Sequence, residues 1–454
     1  MGLGLHGGGL NTAKWLLKHG AKLFITDTKT KEQLEKSIEP LKKFKNISWR
    51  LGEHRESDFK KVDLVVANPG VPRESRFLDV ARANKIPIVN EATLFFDRVS
   101  SKQIVGITGT RGKSTVSTLT AELLKTKDRK TILAGNIRDT AMLSVVDRIK
   151  KESVVLELSS WQLEGLKQLN VGPHISVVTN VMVDHLNRYK TMASYAEAKE
   201  EIWRYQTPED FVVLNRDNSY TLKMGKKVLA RRFWFSKKYF AQENGTFIKN
   251  GVIIFRKFGK EISVVKVKDI KIQGEHNFDN VLASVTVAMI SDVKVINIKK
   301  VLREFTGISS RQEFLREVNG VKFYNDTTAT TPDGLIAALK TLSNKKNIVL
   351  LAGGADKNLD YNAVALVIGK RVKFLVAFEG KATDKLIATL QKHKVKIPFV
   401  MVDNMSDAVG EARLQADKGD IILLSPAAAS FGLFLNEFDR GEQFNHLISS
   451  LRDL

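Results

Sequence analysis

The stretch VGITGTRGKSTVSTLTAELL, residues 105–124, decides how the chain is read. Its Gly112-Lys113-Ser114-Thr115 run stands where an apolar segment gives way to an amphipathic one. Residues 103–107 read as a strand, and the loop 108–112 delivers Lys113 and Ser114 to the start of a helix. Val116, Leu119, Leu123 and Leu124 fall on one face of that helix. A standard phosphate-cradling loop carries a glycine five positions before the Gly-Lys pair, and here that position is Ile107. Gly106 stands one place too early, and Gly109 falls inside the loop. The physical requirements of a phosphate site are nevertheless met. Backbone N–H groups and a helix N-terminus face the anion, a lysine supplies charge, and a hydroxyl can hold magnesium. A plain glycine turn is the competing reading, but it has no need of Gly-Lys-Ser-Thr at a helix start.

Working outward, 454 residues give room for about three domains. The apolar fraction is 43%, and no segment is as long and apolar as a membrane span. No charged-then-apolar leader opens the chain, so no secretory signal is expected. Cysteine is absent, which excludes disulfides and thiolate chemistry and suits a reducing cytoplasm. The formal net charge of +22 raises a polyanion as a partner. The basic residues are scattered, however, and no helix-turn-helix or RNA-binding signature accompanies them. Lysines spread over solvated faces are the better reading, and no nucleic-acid partner is expected.

Strand-like runs alternate with helical patterns throughout, which argues for α/β layering in three domains in series. A polar break near residue 100 (DRVSSKQ) and a second at residues 303–312 (REFTGISSRQ) set the expected boundaries at 1–99, 100–306 and 307–454. Past the second break, NIVLLAGG, KFLVAF, FVMVD and DIILLSP read as four more buried strands. The opening MGLGLHGGGL holds Gly2-x-Gly4-x-x-Gly7, a dinucleotide-type turn, with Asp27 following in LFITD. Such a turn should follow a strand, and only Met1 precedes it. The expectation is that this strand lies upstream of Met1 in the true reading frame or is replaced by non-standard packing.

Two further segments end apolar strands with groups suited to a metal. SVVLELSSWQLE places Glu157 near a strand end, followed by Ser159, Ser160 and Gln162, and HISVVTNVMVDHLNRY does the same with Asp184 and His185. Carboxylate, imidazole and hydroxyl would converge at the carboxyl edge of a parallel sheet, where ligands bind in such folds. Hard oxygens beside phosphate imply magnesium rather than zinc. Alone, His185 reads as a structural histidine; beside Glu157 and the loop it reads as a ligand.

GTRGKST, LELSSWQLE, NVMVDHLNRY, YAEAK, GEHNFDN, SSRQEFLREVNGVKFYNDTTAT and LLSPAAASFGLFLNEFDRGEQF occur in the order found in the Mur ligase family, which the chain resembles over nearly its whole length. GLGLHG, ANPGVP and SPAAASF are most similar to the family's D-glutamate-adding branch. A family loop of form G-T-x-G-K-[ST] accounts for the unusual glycine spacing. The resemblance implies a Rossmann-like uridine-nucleotide domain, a central P-loop ATPase-type α/β domain and a Rossmann-like α/β C-terminal domain. It also implies a cytoplasmic, monomeric enzyme of peptidoglycan precursor synthesis, acting on UDP-MurNAc-L-Ala, D-glutamate and ATP. Carboxylate attack on the γ-phosphate would give an acyl phosphate, which the incoming amine would open. Two magnesium ions would offset the repulsion between the anionic reactants.

By motif match, Gly109, Thr110, Arg111, Gly112, Lys113, Ser114 and Thr115 would hold the ATP phosphates. Ser114 and Glu157 would bind one magnesium ion, and His185 the second. Lys199 in YAEAK matches a lysine that the family carbamylates, which turns a cation into an oxygen ligand. Asn277 would contact adenine with Asn280 nearby, and Arg311 and Asp326 would close over ATP from the third domain. Leu5, His6, Asp27, Thr28 and Gly70 match the uridine-diphosphate cradle, and Asn136, Ser159 and Gln162 the muramoyl and carboxylate end. Thr328, Thr330, Lys357 and Ser430 match positions around the incoming amino acid.

The chain departs from the family in places. Thr328 stands where a lysine often binds the amino acid's carboxylate, and Ser310-Arg311 replaces a His-Arg pair. A ligase adding another amino acid or acting on folate is therefore the nearest rival. A degenerate nucleotide-binding protein without activity is the rival of another class, and a nucleic-acid-binding ATPase a third. Intact Lys113, Glu157, His185, Lys199 and Asp326 argue against degeneracy.

Overall fold

The computed structural model describes the chain apart from residues 6, 138, 139, 185, 273, 358, 453 and 454, and apart from the side chains at 187, 275 and 276. The chain divides into two compact units, Met1–Lys271 with His276–Phe305, and Ile272–Glu275 with Thr306–Leu454.

A nine-stranded sheet organises the first unit. From edge to edge its strands are Lys260–Lys266, Val252–Lys257, Gly245–Lys249, Arg231–Ser236, Phe211–Asn215, Ile175–Val178, Ile104–Thr108, Val154–Glu157 and Ile132–Gly135. The first three pair antiparallel, and every later pairing is parallel. Parallel strands are covered on both faces, so they read as continuous apolar runs rather than alternating ones. Every residue of Ile104–Thr108, Val154–Glu157 and Ile175–Val178 is buried.

The helix Lys113–Lys125 follows Ile104–Thr108 and leads to the edge strand Ile132–Gly135. Its Val116, Leu119 and Leu123 are fully buried and Leu124 nearly so, as their spacing predicts. The chain then returns through Val154–Glu157 on one side of Ile104–Thr108 and continues to Ile175–Val178 on its other side. Strand order therefore reverses at Ile104–Thr108, which opens a crevice beyond its carboxyl end. The strand expected at residue 103 starts one residue later, because Ser101–Gln103 forms a 3-10 turn.

Two small parallel pairs lie ahead of this sheet, Leu23–Asp27 with Ile47–Leu51 and Val65–Val66 with Ile88–Val89. Met1 and Gly2 link them: Gly2 N donates to Thr26 O at 2.8 Å, and Asn68 N to Met1 O at 3.0 Å. Phe95 and Phe96, from the helix Glu91–Phe96, share a core with Leu156 of the large sheet and Leu158 just past that strand's end. Trp15 Nε1 donates to Asp147 Oδ1 at 3.0 Å and fastens the first helix, Gly8–Lys18, to the same body.

In the second unit six strands run in the order Glu313–Val318, Val321–Asn325, Ile421–Leu424, Ile348–Gly353, Val372–Phe378 and Phe399–Val402. The first two form an antiparallel hairpin and the others pair parallel. All four runs expected past residue 310 are strands. Each face carries its own core: Leu350 and Ala352 pack on one side, Val349 and Leu351 on the other. Among the described residues, no helix is long and apolar enough to cross a membrane.

Candidate active site

The loop between Thr108 and Lys113 is built around two glycines that accept no side chain. Gly109 has φ +151°, and a Cβ there would lie 1.8 Å from Thr179 Oγ1. Gly112 has φ +83°, and its Cβ would meet Asn280 Oδ1 at 2.2 Å. Glycine is thus required at these two positions, whereas position 107 is an interior strand residue, paired with Glu157 and Val177. That difference explains the shifted spacing. Gly106 serves a separate purpose, since a Cβ there would strike Pro173 at 2.7 Å.

The neighbouring strand end pins the loop. Thr110 N donates to Asn180 O at 2.9 Å, and Arg111 N to Asn180 Oδ1 at 2.9 Å. Thr179 Oγ1 donates to Arg111 O at 2.6 Å. Sequence reasoning passed over Thr179 and Asn180, although VVTN places them directly after a buried strand. The helix then begins at Lys113 with no acidic residue in its first turn, which leaves its N-terminal N–H groups suited to an anion. Ser114 stands at its second position and Thr115 is buried.

Two lysines meet at this loop. Lys113 Nζ donates to Gly109 O at 3.0 Å and to Thr110 O at 3.1 Å. Lys199 Nζ, from the helix Met192–Arg204, donates to the same Gly109 oxygen at 3.0 Å. The two Nζ atoms are therefore no more than twice 3.0 Å apart. Lys199 is only 1% exposed, with its Nζ 4.5 Å from the centroid of the Tyr195 ring. Burial, followed by the charge on Lys113, holds its amine well below the usual lysine range, and Asp184 offsets this only in part. Burial also pushes the Tyr195 phenol up to about 12, and its oxygen lies 3.3 Å from Thr110 Oγ1.

Glu157 ends the strand beside the loop and is buried. Asn136 Nδ2 donates to its Oε1 at 3.3 Å, while among the described residues Oε2 is buried without a hydrogen-bond partner. A buried carboxylate oxygen left unmatched suits a hard cation. Among the described residues, no group of three His, Cys, Asp or Glu converges on a metal position. His185 lies outside the described residues. Ser159 caps the helix Ser160–Leu163, and its N and Oγ donate to Gln162 Oε1 at 2.9 and 3.0 Å. Asn277 and Asn280 sit one turn apart on Glu275–Ile290, with Asn280 Nδ2 donating to Asn277 Oδ1 at 2.9 Å.

Around the first glycine turn, Gly2, Gly4 and Gly7 all have positive φ, and Gly7 caps the helix Gly8–Lys18. Asp27 Oδ2 accepts from Gly4 N at 3.0 Å and Oδ1 from Lys29 N at 2.9 Å, so this carboxylate braces the turn. Leu5, Thr28 and Gly70 are exposed beside it, and His6 lies outside the described residues.

In the second unit three loops are knitted together at the carboxyl ends of the strands. Ala427 N donates to Ala329 O at 2.8 Å, Ala355 and Ala429 form a bridge, and Lys357 Nζ donates to Thr330 Oγ1 at 3.1 Å. These links draw Thr330 and Lys357 together and bring Ser430 beside their loops. Ser430 Oγ is buried and, among the described residues, has no partner. Burial draws the Lys357 amine down from its usual range. Thr328 Oγ1 is occupied by Ser310 O at 2.8 Å. Asp326 is buried, accepts from Ser425 Oγ at 2.7 Å and Gln312 N at 3.1 Å, and is pushed up to about 7 by burial. Arg311 follows Ser310 on the adjoining loop. A buried Arg440, which donates to Thr327 Oγ1 and O at 3.0 and 2.9 Å, holds the 325–330 loop from the last helix, Glu437–Ser449. The sequence offered no local signal for that contact across 113 positions.

Comparison with known proteins bears on each of these segments. Residues 1–90 match the Mur ligase MurD-like N-terminal domain, residues 107–288 the Mur ligase middle domain, and residues 310–428 the Mur ligase glutamate ligase domain. The UDP-N-acetylmuramoylalanine–D-glutamate ligase of Roseiflexus sp. (strain RS-1) is 39% identical over 99% of this chain and 97% of its own. Its counterpart in Borreliella afzelii (strain PKo) is 36% identical with the same coverage of both chains. Among solved structures, UDP-N-acetylmuramate-alanine ligase MurC from Thermotoga maritima superposes with a TM-score of 0.60 over 98% of each chain, at 18% identity. MurF ligase from Thermotoga maritima, in complex with ADP, gives 0.55 over 86% of this chain and 96% of its own, at 20% identity. These two share the fold. With three domains matched in order and relatives aligned over nearly all of its length, the chain belongs to the Mur ligase family.

Proposed function

We propose that this chain is an ATP-dependent ligase that joins D-glutamate to UDP-N-acetylmuramoyl-L-alanine, a cytoplasmic step of peptidoglycan precursor synthesis, and that it acts as a monomer. The observation that carries the reading is the meeting of Lys113 and Lys199 on one carbonyl of the glycine loop, one strand away from the Glu157 oxygen that, among the described residues, has no hydrogen-bond partner. The relatives named as D-glutamate ligases, at 36–39% identity over 99% of the chain, support the choice of amino acid.

In this reading residues 1–99 hold the uridine nucleotide, 100–306 ATP and 307–454 the amino acid. The loop 109–115 cradles the phosphates through its N–H groups, and Lys113 leaves its loop carbonyls to neutralise them. Ser114, Glu157 and a carbamylated Lys199 would hold magnesium, which when bound supplies positive charge to the phosphates and the substrate carboxylate. Burial, which draws the Lys199 amine below its usual range, makes the neutral form that takes up carbon dioxide easier to reach. Asn136, Ser159 and Gln162 face the muramoyl end, and Asn277 and Asn280 the adenine. Thr330, Lys357 and Ser430 offer a cation and hydroxyls to the carboxylates of D-glutamate, with Thr328 beside them. Arg311, Asp326 and His185 carry their proposed roles by motif match.

The test is phosphate release by the purified chain with ATP and magnesium, with the product identified by mass. UDP-MurNAc-L-Ala plus D-glutamate should release phosphate stoichiometrically with product, and folate plus L-glutamate should not. Equal turnover with the folate pair would refute the reading.

A further inference from the structure

Arg188, in the short helix Leu186–Tyr189, makes contacts that the reaction as described leaves unused. Its Nη1 donates to Pro69 O and Val71 O, each at 3.2 Å, and its Nη2 to Glu164 Oε2 at 3.1 Å. The guanidinium lies over the Trp161 ring, 4.8 Å from the centroid. Glu164, directly after the helix Ser160–Leu163, also takes Arg73 Nε at 3.0 Å and the Tyr189 hydroxyl at 2.9 Å. The side chains of Arg188 and Glu164 are 14% and 7% exposed, so both charges are largely removed from water and matched by one another.

The placement of these contacts is specific. Pro69 and Val71 flank Gly70, so one cation grips the ANPGVP loop on both sides of that glycine. Arg73 fastens the same loop to Glu164 two residues further on. A cavity of about 260 Å³, lined by Arg73, Trp161, Glu164 and Arg188 among others, opens beside the loop. On its inner side Ala67 and Val71 pack against the cluster of Phe59 and Leu78; on the cavity side the polar clamp holds the loop. A planar guanidinium presents its donors from separate nitrogens, so Nη1 reaches the two carbonyls while Nη2 reaches the carboxylate; a lysine's three donors all sit on one nitrogen.

We propose that Arg188 is a positioning residue: with Glu164 it sets the 67–72 loop against the ATP-binding sheet, and so fixes the uridine-nucleotide half of the substrate site. This rests on the reading of that loop as part of the uridine cradle. Through the same residues the clamp joins three segments: the loop itself, the helix Ser160–Leu163 that Ser159 caps and that carries Gln162, and the helix following Asp184. A shift of about 1 Å in such a loop is enough to spoil alignment between substrate halves.

The experiment uses the full chain with Arg188→Lys and Glu164→Gln, both close in size to the originals. Binding of UDP-N-acetylmuramoyl-L-alanine and of a non-hydrolysable ATP analogue is measured by titration calorimetry, alongside KM for each substrate and the melting temperature. Arg188→Lys should weaken uridine-substrate binding and raise its KM by about tenfold or more, the loss expected of charge-assisted hydrogen bonds. ATP-analogue affinity and the KM for ATP should stay within about twofold, since no clamp contact touches the phosphate loop. Glu164→Gln, which keeps an acceptor for Arg188, should fall between wild type and Arg188→Lys. Uridine-substrate affinity unchanged in Arg188→Lys would overturn the proposal, as would equal losses for both nucleotides. Wild-type protein that binds no uridine substrate and makes no product would overturn the functional reading and the clamp with it.

Discussion

Replacing Lys199 tests the chemistry of the site, and the expected effect can be worked from two distances. Lys113 and Lys199 each place a nitrogen 3.0 Å from the Gly109 oxygen, so two ammonium ions here would stand within about twice that separation. At ~6 Å and an effective dielectric of 20 their repulsion is about 3 kcal/mol, before any desolvation of the buried Lys199 is added. Carbamylation reverses the sign of the charge on Lys199. The same pair then attracts by about 3 kcal/mol, which favours the carbamate by about 3 kcal/mol over the neutral amine and by about 6 kcal/mol over the ammonium. Burial and Lys113 already hold the amine below its ordinary range, so the neutral form that reacts with carbon dioxide is present at lower pH than in a free lysine. As pH falls through that lowered value the amine takes up a proton, the carbamate is lost and ligation declines; as pH rises it returns. The assay is product formation across pH with and without added bicarbonate, together with a carbon-13 spectrum of protein equilibrated with labelled bicarbonate. Lys199→Ala should abolish ligation while sparing ATP binding, and a short carboxylic acid should restore part of the activity. Near-normal turnover by Lys199→Ala, or no carbamate signal in fully active protein, would refute the reasoning.

Other positions give further expectations. Gly109→Ala places a Cβ 1.8 Å from Thr179 Oγ1 at φ +151°, and should lower ATP affinity by about tenfold or more in calorimetry; unchanged affinity would contradict the loop geometry. Burial raises Asp326 from 3.8 to about 7, so the native state of ligand-free protein binds more protons than the unfolded state in that interval. The contribution of Asp326 is then most favourable below 3.8 and declines as pH rises through about 7, by roughly 4 kcal/mol in all. Asp326→Asn should flatten that slope in urea unfolding of the second unit's transition between pH 5 and 8, and parallel slopes for both proteins would contradict it. Lys357→Met should raise the KM for D-glutamate about tenfold while leaving that for ATP alone; equal effects on both would remove Lys357 from the amino-acid pocket.

Much of the architecture was legible because it is written in local pattern. The buried parallel strands read as continuous apolar runs, and the face Val116, Leu119, Leu123, Leu124 announced the helix behind the phosphate loop. The glycine spacing was legible as unusual but not as necessary. Its cause lies in Thr179 and Asn280, which press on Gly109 and Gly112 from 70 and 168 positions away. The meeting of Lys199 with Gly109 spans 90 positions and followed from family resemblance, never from periodicity. Asp27 also braces the turn through Gly4 N and Lys29 N, a contact that the twenty-residue spacing did not disclose. Arg188 and Arg440 escaped notice because a buried arginine among 72 basic residues looks no different from a solvated one until its acceptors are known.

Whether the chain makes the amide is decided by following one reaction to its products. Purified protein with UDP-MurNAc-L-Ala, D-glutamate, ATP and magnesium should yield one ADP and one phosphate for each uridine-linked product bearing D-glutamate, identified by mass and by chiral analysis after hydrolysis. L-Alanine, L-glutamate or a diamino acid in place of D-glutamate should give little product. Comparable product from any of these, or ATP consumed without an amide formed, would contradict the assignment.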